Sequence, residues 1–153
     1  MRLLKTFEEF LSEGIAGKRT ADKARAESLV SEAKKRKKFL DELSAKIKVS
    51  DENANYFIEN CYDALIELIR AKLLKDGYKS SGEGAHEAEV SYLRKLGFEE
   101  KDVLFMNDLR YFRNGILYYG KSFDSDYADK ALEFLKKNFD RLLKINQSQE
   151  GSK

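Results

Sequence analysis

Between Leu109 and Lys121 the chain reads LRYFRNGILYYGK. This stretch holds two guanidiniums, a carboxamide, three phenols and an ammonium. At about 100° per helical residue, Arg113, Leu117, Arg110, Lys121, Asn114 and Tyr118 fall in that order across an arc of roughly 140°. Lys121 joins the arc only if the helix runs past Gly120. Guanidiniums fork onto phosphate oxygens, and an amide beside them can orient one or hydrogen-bond a base or ribose. The plain alternative is a solvated face with its arginines paired to Asp63 or Glu67. Phe105, Leu109, Phe112, Ile116 and Tyr119 step by four and three along the opposite side, so they form the packing face, with Tyr119 in the core and Tyr118 toward a cleft. Asn114-Gly115 is also a good hairpin turn pair, but its flanks do not alternate as strands would.

A second polar set lies upstream. Asn60, Asp63, Glu67 and Arg70 step by three and four through an otherwise apolar stretch. They form one narrow stripe, either a solvated edge or a polar seam lining a cleft. The run from Lys34 to Lys38 circles a helix axis rather than making one flat patch, so it reads as a solvated helix. His86 reads as structural or solvent-facing, and Cys61 as core. One cysteine and one histidine exclude an internal disulfide, a cysteine-rich zinc site and a multi-histidine metal centre. SSGEGA lacks the Lys-Ser/Thr ending of a phosphate-binding loop.

These residues need helices to hold them, and helical periodicity dominates. Six helices are predicted. The first covers roughly 3–13 and stops at Gly14, after which GIAGKR reads as a turn or flexible link. The second runs from Thr20 as N-cap to about Lys46. The third runs from Ser50 or Asp51 to Asp76, closed by Gly77. GYKSSGEGA reads as loop. The fourth covers 84–96, the fifth Glu99–Tyr119, and the sixth Asp124 or Ser125 to about Ile145. The third helix is apolar on nearly every side, which places it centrally or leaves a face for a second copy. Long helices with short connections predict an all-α, antiparallel up-and-down bundle of four main helices plus short ones, and strands have little support.

The chain has 153 residues, 42% hydrophobic and 37% charged, with no proline and a formal charge of +2. That suffices for one packed core and is far from a disordered composition. The domain reading is 1–17 as a short helix and link, 18–146 as the bundle, and 147–153 as a disordered tail. The opening MRLLKTFEEF is broken by charge before a signal-peptide core can form, and DALIELIRAKLL carries Glu67, Arg70 and Lys72. Neither a signal peptide nor a membrane span is expected, and the expected compartment is the cytoplasm.

Taken with the two long helices before it, LRYFRNGILYYG resembles the HEPN superfamily (higher eukaryotes and prokaryotes nucleotide-binding). That family's motif is an Arg, a polar follower, and a His after four to six intervening residues. Arg113 matches the Arg and Asn114 the follower. Tyr118 and Tyr119 stand where the His would be. The resemblance covers roughly residues 20–145 and implies a HEPN-like bundle that pairs as a homodimer through its third and fifth helices. It implies RNA or a nucleotide as ligand, with Arg110, Arg113, Asn114, Tyr118 and Lys121 binding it and Asn60, Asp63, Glu67 and Arg70 supporting them. It implies no cofactor and no metal. Active members are metal-independent ribonucleases in which Arg holds the scissile phosphate and His handles the 2′-hydroxyl proton, which makes Arg113, Asn114 and Tyr118 the catalytic candidates. Some members pair with a minimal nucleotidyltransferase in toxin–antitoxin systems, where a Tyr hydroxyl near the motif receives AMP; the spacing of Tyr118 and Tyr119 matches that poorly. A tyrosine of pKa near ~10 is a poor base at neutral pH. The leading expectation is therefore a non-catalytic or degenerate nucleotide- or RNA-associated domain. An active ribonuclease using Arg113 and a generic helical interaction scaffold stay open beside it.

Overall fold

The computed structural model describes residues 3–148. It is all-α apart from one short ribbon. The helices are α1 (Phe7–Ser12), α2 (Lys23–Lys46), α3 (Ala54–Lys75), α4 (Ala85–Ser91) followed by a 3-10 turn (Tyr92–Arg94), α5 (Glu100–Tyr119) and α6 (Ser125–Gln147). The expected tail at 147–153 is helical at Gln147, and from residue 149 it lies outside the described residues.

α3 is the centre. It has neither proline nor glycine to interrupt it, and Phe57, Ile58, Cys61, Leu65, Leu68, Ile69 and Leu73 are all essentially inaccessible. α2, α5 and α6 pack around it, with α4 closing one side. Its apolar surround is thus covered within a single chain, and that surround no longer argues for a second copy.

Two expectations need correction. α2 starts later than Thr20: Asp22 is the N-cap, its carboxylate accepting from the Arg25 amide. Aspartate caps as well as threonine does, and the chain before it is held extended. The reason is the second correction. The presumed link at 16–18 and part of the presumed loop at 78–80 pair as antiparallel strands β1 (Ala16–Lys18) and β2 (Tyr78–Ser80). Three residues are too few for a periodicity signal. Tertiary packing holds the ribbon: Tyr78 lies against Phe7 of α1 and Tyr92 of the 3-10 turn in one aromatic cluster. At the ribbon's end Gly77 sits at φ +87°, its carbonyl accepting from the Arg19 amide, and a Cβ there would meet the Arg19 oxygen at 3.1 Å. Only glycine fits without strain.

α5 is continuous through Asn114-Gly115, so the hairpin alternative does not occur. It stops at Gly120 in the left-handed conformation. Lys121 therefore lies outside the helix, its aliphatic stem folded over Gly115. Asn55, in the first turn of α3, pins the link to α6: its amide donates to the Lys121 carbonyl and accepts from the Phe123 amide. The last turn of α5 is thus level with the start of α3. Tyr119, expected in the core, is 78% exposed because α3 offers nothing further for it to pack against. No described helix is long and apolar enough to cross a membrane.

Candidate functional site

Four helices converge on one polar cleft of about 250 Å³, lined among others by Arg36, Tyr62, Asp63, Arg70, His86 and Arg113. α3 supplies the floor. Because Asn60, Asp63, Glu67 and Arg70 recur at helical spacing, the stripe predicted from sequence is a seam rather than a solvated edge, and each arginine around it is gripped by a carboxylate. Arg113 reaches from α5 to donate to Asp63 at 3.0 Å. Arg36 reaches from α2 to Glu67 through two nitrogens, 3.3 and 3.1 Å, and to the Asn60 carbonyl oxygen at 2.9 Å. It also faces Asp63 at 3.9 Å, so that one carboxylate serves two guanidiniums. Arg70 forks onto Glu89 of α4 at 2.7 and 2.9 Å. Burial works against the Arg36 charge, but Glu67 and Asp63 outweigh it and hold its pKa above the usual value. For Arg70 the Glu89 hydrogen bond is the main cause of a similar rise.

Tyr62 lies under this layer, almost fully buried, with the Arg113 guanidinium 5.5 Å from its ring centroid. Its hydroxyl is 3.3 Å from His86 Nδ1. Burial, reinforced by the Glu89 charge, drives the phenol pKa well up, so Tyr62 stays protonated at any physiological pH. His86 moves the other way. Desolvation lowers its pKa; Glu89 opposes this, while Arg70, Arg113 and Arg110 add to it. At neutral pH the imidazole is uncharged, with one nitrogen held by Tyr62. The Nε–H of Arg113 is buried with no hydrogen-bond partner among the described residues. Such an unmade bond is costly, and it marks a donor still able to take an acceptor.

The residues expected on one face of α5 divide between two surfaces. Arg113 alone lines the cleft. Arg110, Asn114, Tyr118 and Lys121 line a separate cavity of about 470 Å³ with Tyr119 and Gly115. On an ideal helix Arg113 and Tyr118 are about 140° apart; Arg113 bends inward to Asp63, while Tyr118 stands 71% exposed. Arg110 is no free outward cation: it donates to Asn107 at 2.9 Å and faces Glu87 at 3.6 Å.

Sequence reasoning missed three participants. Arg36 was one of five consecutive basic residues, and only its phase relative to the α3 seam turns it inward while Lys37 pairs with Asp41. Tyr62 was one more apolar-face aromatic. His86 was set aside as structural or solvent-facing; the readable signal was its three-residue spacing to Glu89, which puts both on one side of a helix. Among the described residues no group of three or more His, Cys, Asp and Glu is placed to hold a metal ion. The arrangement is a polar cleft with forked donors, a neutral imidazole and a protonated phenol. No family model, curated protein or solved structure matches the chain.

Proposed function

We propose that this chain is a HEPN-like domain that binds a phosphodiester of RNA, or a nucleotide phosphate, in the cleft between α2, α3, α4 and α5. One observation carries the reading: Arg113, the match to the family's motif arginine, shares a cleft with the chain's single histidine and keeps an unpartnered buried N–H. Arg113 and Arg36 supply forked donors, and the carboxylates of Asp63, Glu67 and Glu89 fix their orientation. The HEPN-like antiparallel bundle and the homodimer belong to the same proposal. What supports a second copy is the end of α5, where Tyr111, Leu117, Tyr118 and Tyr119 are all exposed. A nucleotidyltransferase partner is carried by the resemblance alone.

A second reading, metal-independent cleavage, is favoured by His86. From α4 it occupies the chemical role left vacant at Tyr118 and Tyr119. To act as base it donates Nδ1–H to the Tyr62 oxygen and keeps the Nε2 lone pair free. It then takes the 2′-hydroxyl proton, the 2′-oxygen bonds to phosphorus, and the bond to the 5′-oxygen breaks, giving a 2′,3′-cyclic phosphate and a 5′-hydroxyl whose proton comes from water, while the imidazolium returns its proton to solvent.

Fluorescence anisotropy with labelled single-stranded RNA at low salt tests the binding reading. Arg113→Ala is expected to weaken binding at least tenfold, and unchanged binding in that variant ends the proposal. Incubation of the same RNA with EDTA tests the second reading. Cleavage lost in His86→Gln supports it, and RNA left intact by the wild type removes it while binding stands.

A further inference from the structure

His86 and Arg70 do not face one cavity only. They also form a wall of a second one, of about 430 Å³, on the side of the β-ribbon. Its other charged lining residues are Arg19 just before α2, Arg25 in the first turn of α2, Lys79 of β2, and Glu89. The electrostatics differ from those of the cleft. There every arginine is matched by an acid. Here Glu89 is already forked by Arg70, Arg19 has only a loose contact with Asp22 at 3.7 Å, and Arg25 and Lys79 have no acidic partner among the described residues. Ser80 and Ser81 line the same space, the Ser80 hydroxyl donating to the Ala85 carbonyl. Cations concentrated in a concave site with no matching carboxylates raise the local concentration of anions.

We propose that this outer cavity is a second phosphate subsite, and that the ligand is a single-stranded RNA chain. One phosphate lies in the cleft at Arg113, and the backbone continues across His86 and Arg70 to a neighbouring phosphate held by Arg19, Arg25 and Lys79. The proposal rests on the cleft binding a phosphate. It adds that the ligand is an oligomer, engaged at a place that no residue of α5 reaches. The two cavities divide the work: the matched cleft orients, and the unmatched outer cavity supplies the net charge that attracts the chain.

The test uses the full-length protein with two probes, labelled single-stranded oligoadenylate and AMP as its competitor. Arg25→Gln/Lys79→Gln is the outer variant. Both side chains are exposed, and removing a cation from the first turn of α2 relieves its clash with the helix dipole, so the fold is retained. This variant is expected to bind the oligomer at least tenfold more weakly than wild type. Its salt dependence should be shallower by about 0.7 in log–log slope, for the one phosphate that is no longer neutralised. AMP binding should be unchanged. Arg113→Ala should lose both probes. An outer variant that keeps wild-type affinity and slope for the oligomer, while Arg113→Ala loses both probes, overturns the subsite and leaves the cleft standing. Weaker oligomer binding in the outer variant while Arg113→Ala binds both probes as wild type does overturns the cleft, and the continuous track with it. Wild type that binds neither probe overturns both. Polyglutamate that displaces the oligomer as well as unlabelled oligoadenylate does, at equal charge, assigns the outer cavity to acidic peptide and refutes a phosphodiester site.

Discussion

Arg70→Met asks the most of the cleft's ion pairs. The Arg70 side chain is 26% exposed and that of Glu89 only 7%, and the two meet fork to fork. Removing the guanidinium strands a buried carboxylate. Breaking one side of such a pair costs about 3–5 kcal/mol. The space vacated opens on both cavities, so water reaches Glu89 and the low end, about 3 kcal/mol, is expected. That is a large share of a typical domain stability of roughly 5–15 kcal/mol. Glu89→Leu strands the arginine instead. Arg70 lines both cavities and stays hydrated there, so the expected cost is smaller, about 1–2 kcal/mol. Arg70→Met/Glu89→Leu strands nothing and replaces the pair by apolar side chains of similar length. It should lie close to wild type, within about 1 kcal/mol, which makes the coupling energy about 4–5 kcal/mol for a double variant level with wild type. Urea unfolding followed by far-UV circular dichroism measures all four proteins. Arg70→Met within about 1 kcal/mol of wild type, or a double variant less stable than Arg70→Met, would refute the reasoning. The double variant then serves a second purpose, as a stable protein lacking one cleft cation.

Three further outcomes are expected. Asn55→Ala removes both hydrogen bonds that hold the α5–α6 link, at a cost of about 1–2 kcal/mol and with faster hydrogen exchange at the Phe123 amide; an unchanged exchange rate there contradicts the role assigned to Asn55. Burial pushes the Cys61 thiol up to about 12, so a disulfide reagent at pH 8 should modify it only as fast as the protein unfolds; prompt stoichiometric labelling of native protein would contradict that burial. His86 has a folded pKa below its ordinary value, so the fold binds fewer protons there than the unfolded chain. Its contribution to stability is complete above pH about 6.5 and is lost as pH falls through the lowered value, while protonation adds a positive charge to the cleft and, on the proposed reading, should tighten RNA binding. Anisotropy titrations between pH 7 and 5 should show that tightening in wild type and a flatter profile in His86→Gln; parallel profiles would remove His86 from the site.

Much of the fold was legible because glycine and helical period mark it plainly. Gly14, Gly77, Gly97 and Gly120 all sit at positive φ beside a helix end or turn, and the all-round apolar α3 is the central helix. The β-ribbon was not legible, because it is held by Phe7, Tyr78 and Tyr92, which are far apart in sequence. In the site, whether Asn60, Asp63, Glu67 and Arg70 make a seam or a solvated edge depends on what α2, α4 and α5 place over them, but their common stripe follows from spacing alone. The choice of Arg36 from five neighbouring cations does not, since it depends on how α2 is rotated against α3. Nor does the separation of Arg113 from Tyr118: an arc drawn on a helix wheel treats side chains as radial spokes, whereas a long arginine bends toward the nearest carboxylate.

The matched charges of the cleft carry a consequence for how it would hold the phosphate proposed for it. Arg36, Arg70 and Arg113 face Asp63, Glu67 and Glu89, and with His86 neutral their formal charges cancel. A site without net charge does little to draw RNA from a distance. Its contribution is orientation, because each guanidinium is fixed by a carboxylate before any ligand arrives and little side-chain freedom remains to be given up. Binding there replaces or shares a carboxylate contact with a phosphate contact, an exchange whose net gain is small unless unmet donors are satisfied as well. The buried Nε–H of Arg113 is such a donor. Attraction then has to come from outside the cleft, and the unmatched Arg25 and Lys79 across the Arg70–His86 wall are cavity-lining charges able to supply it.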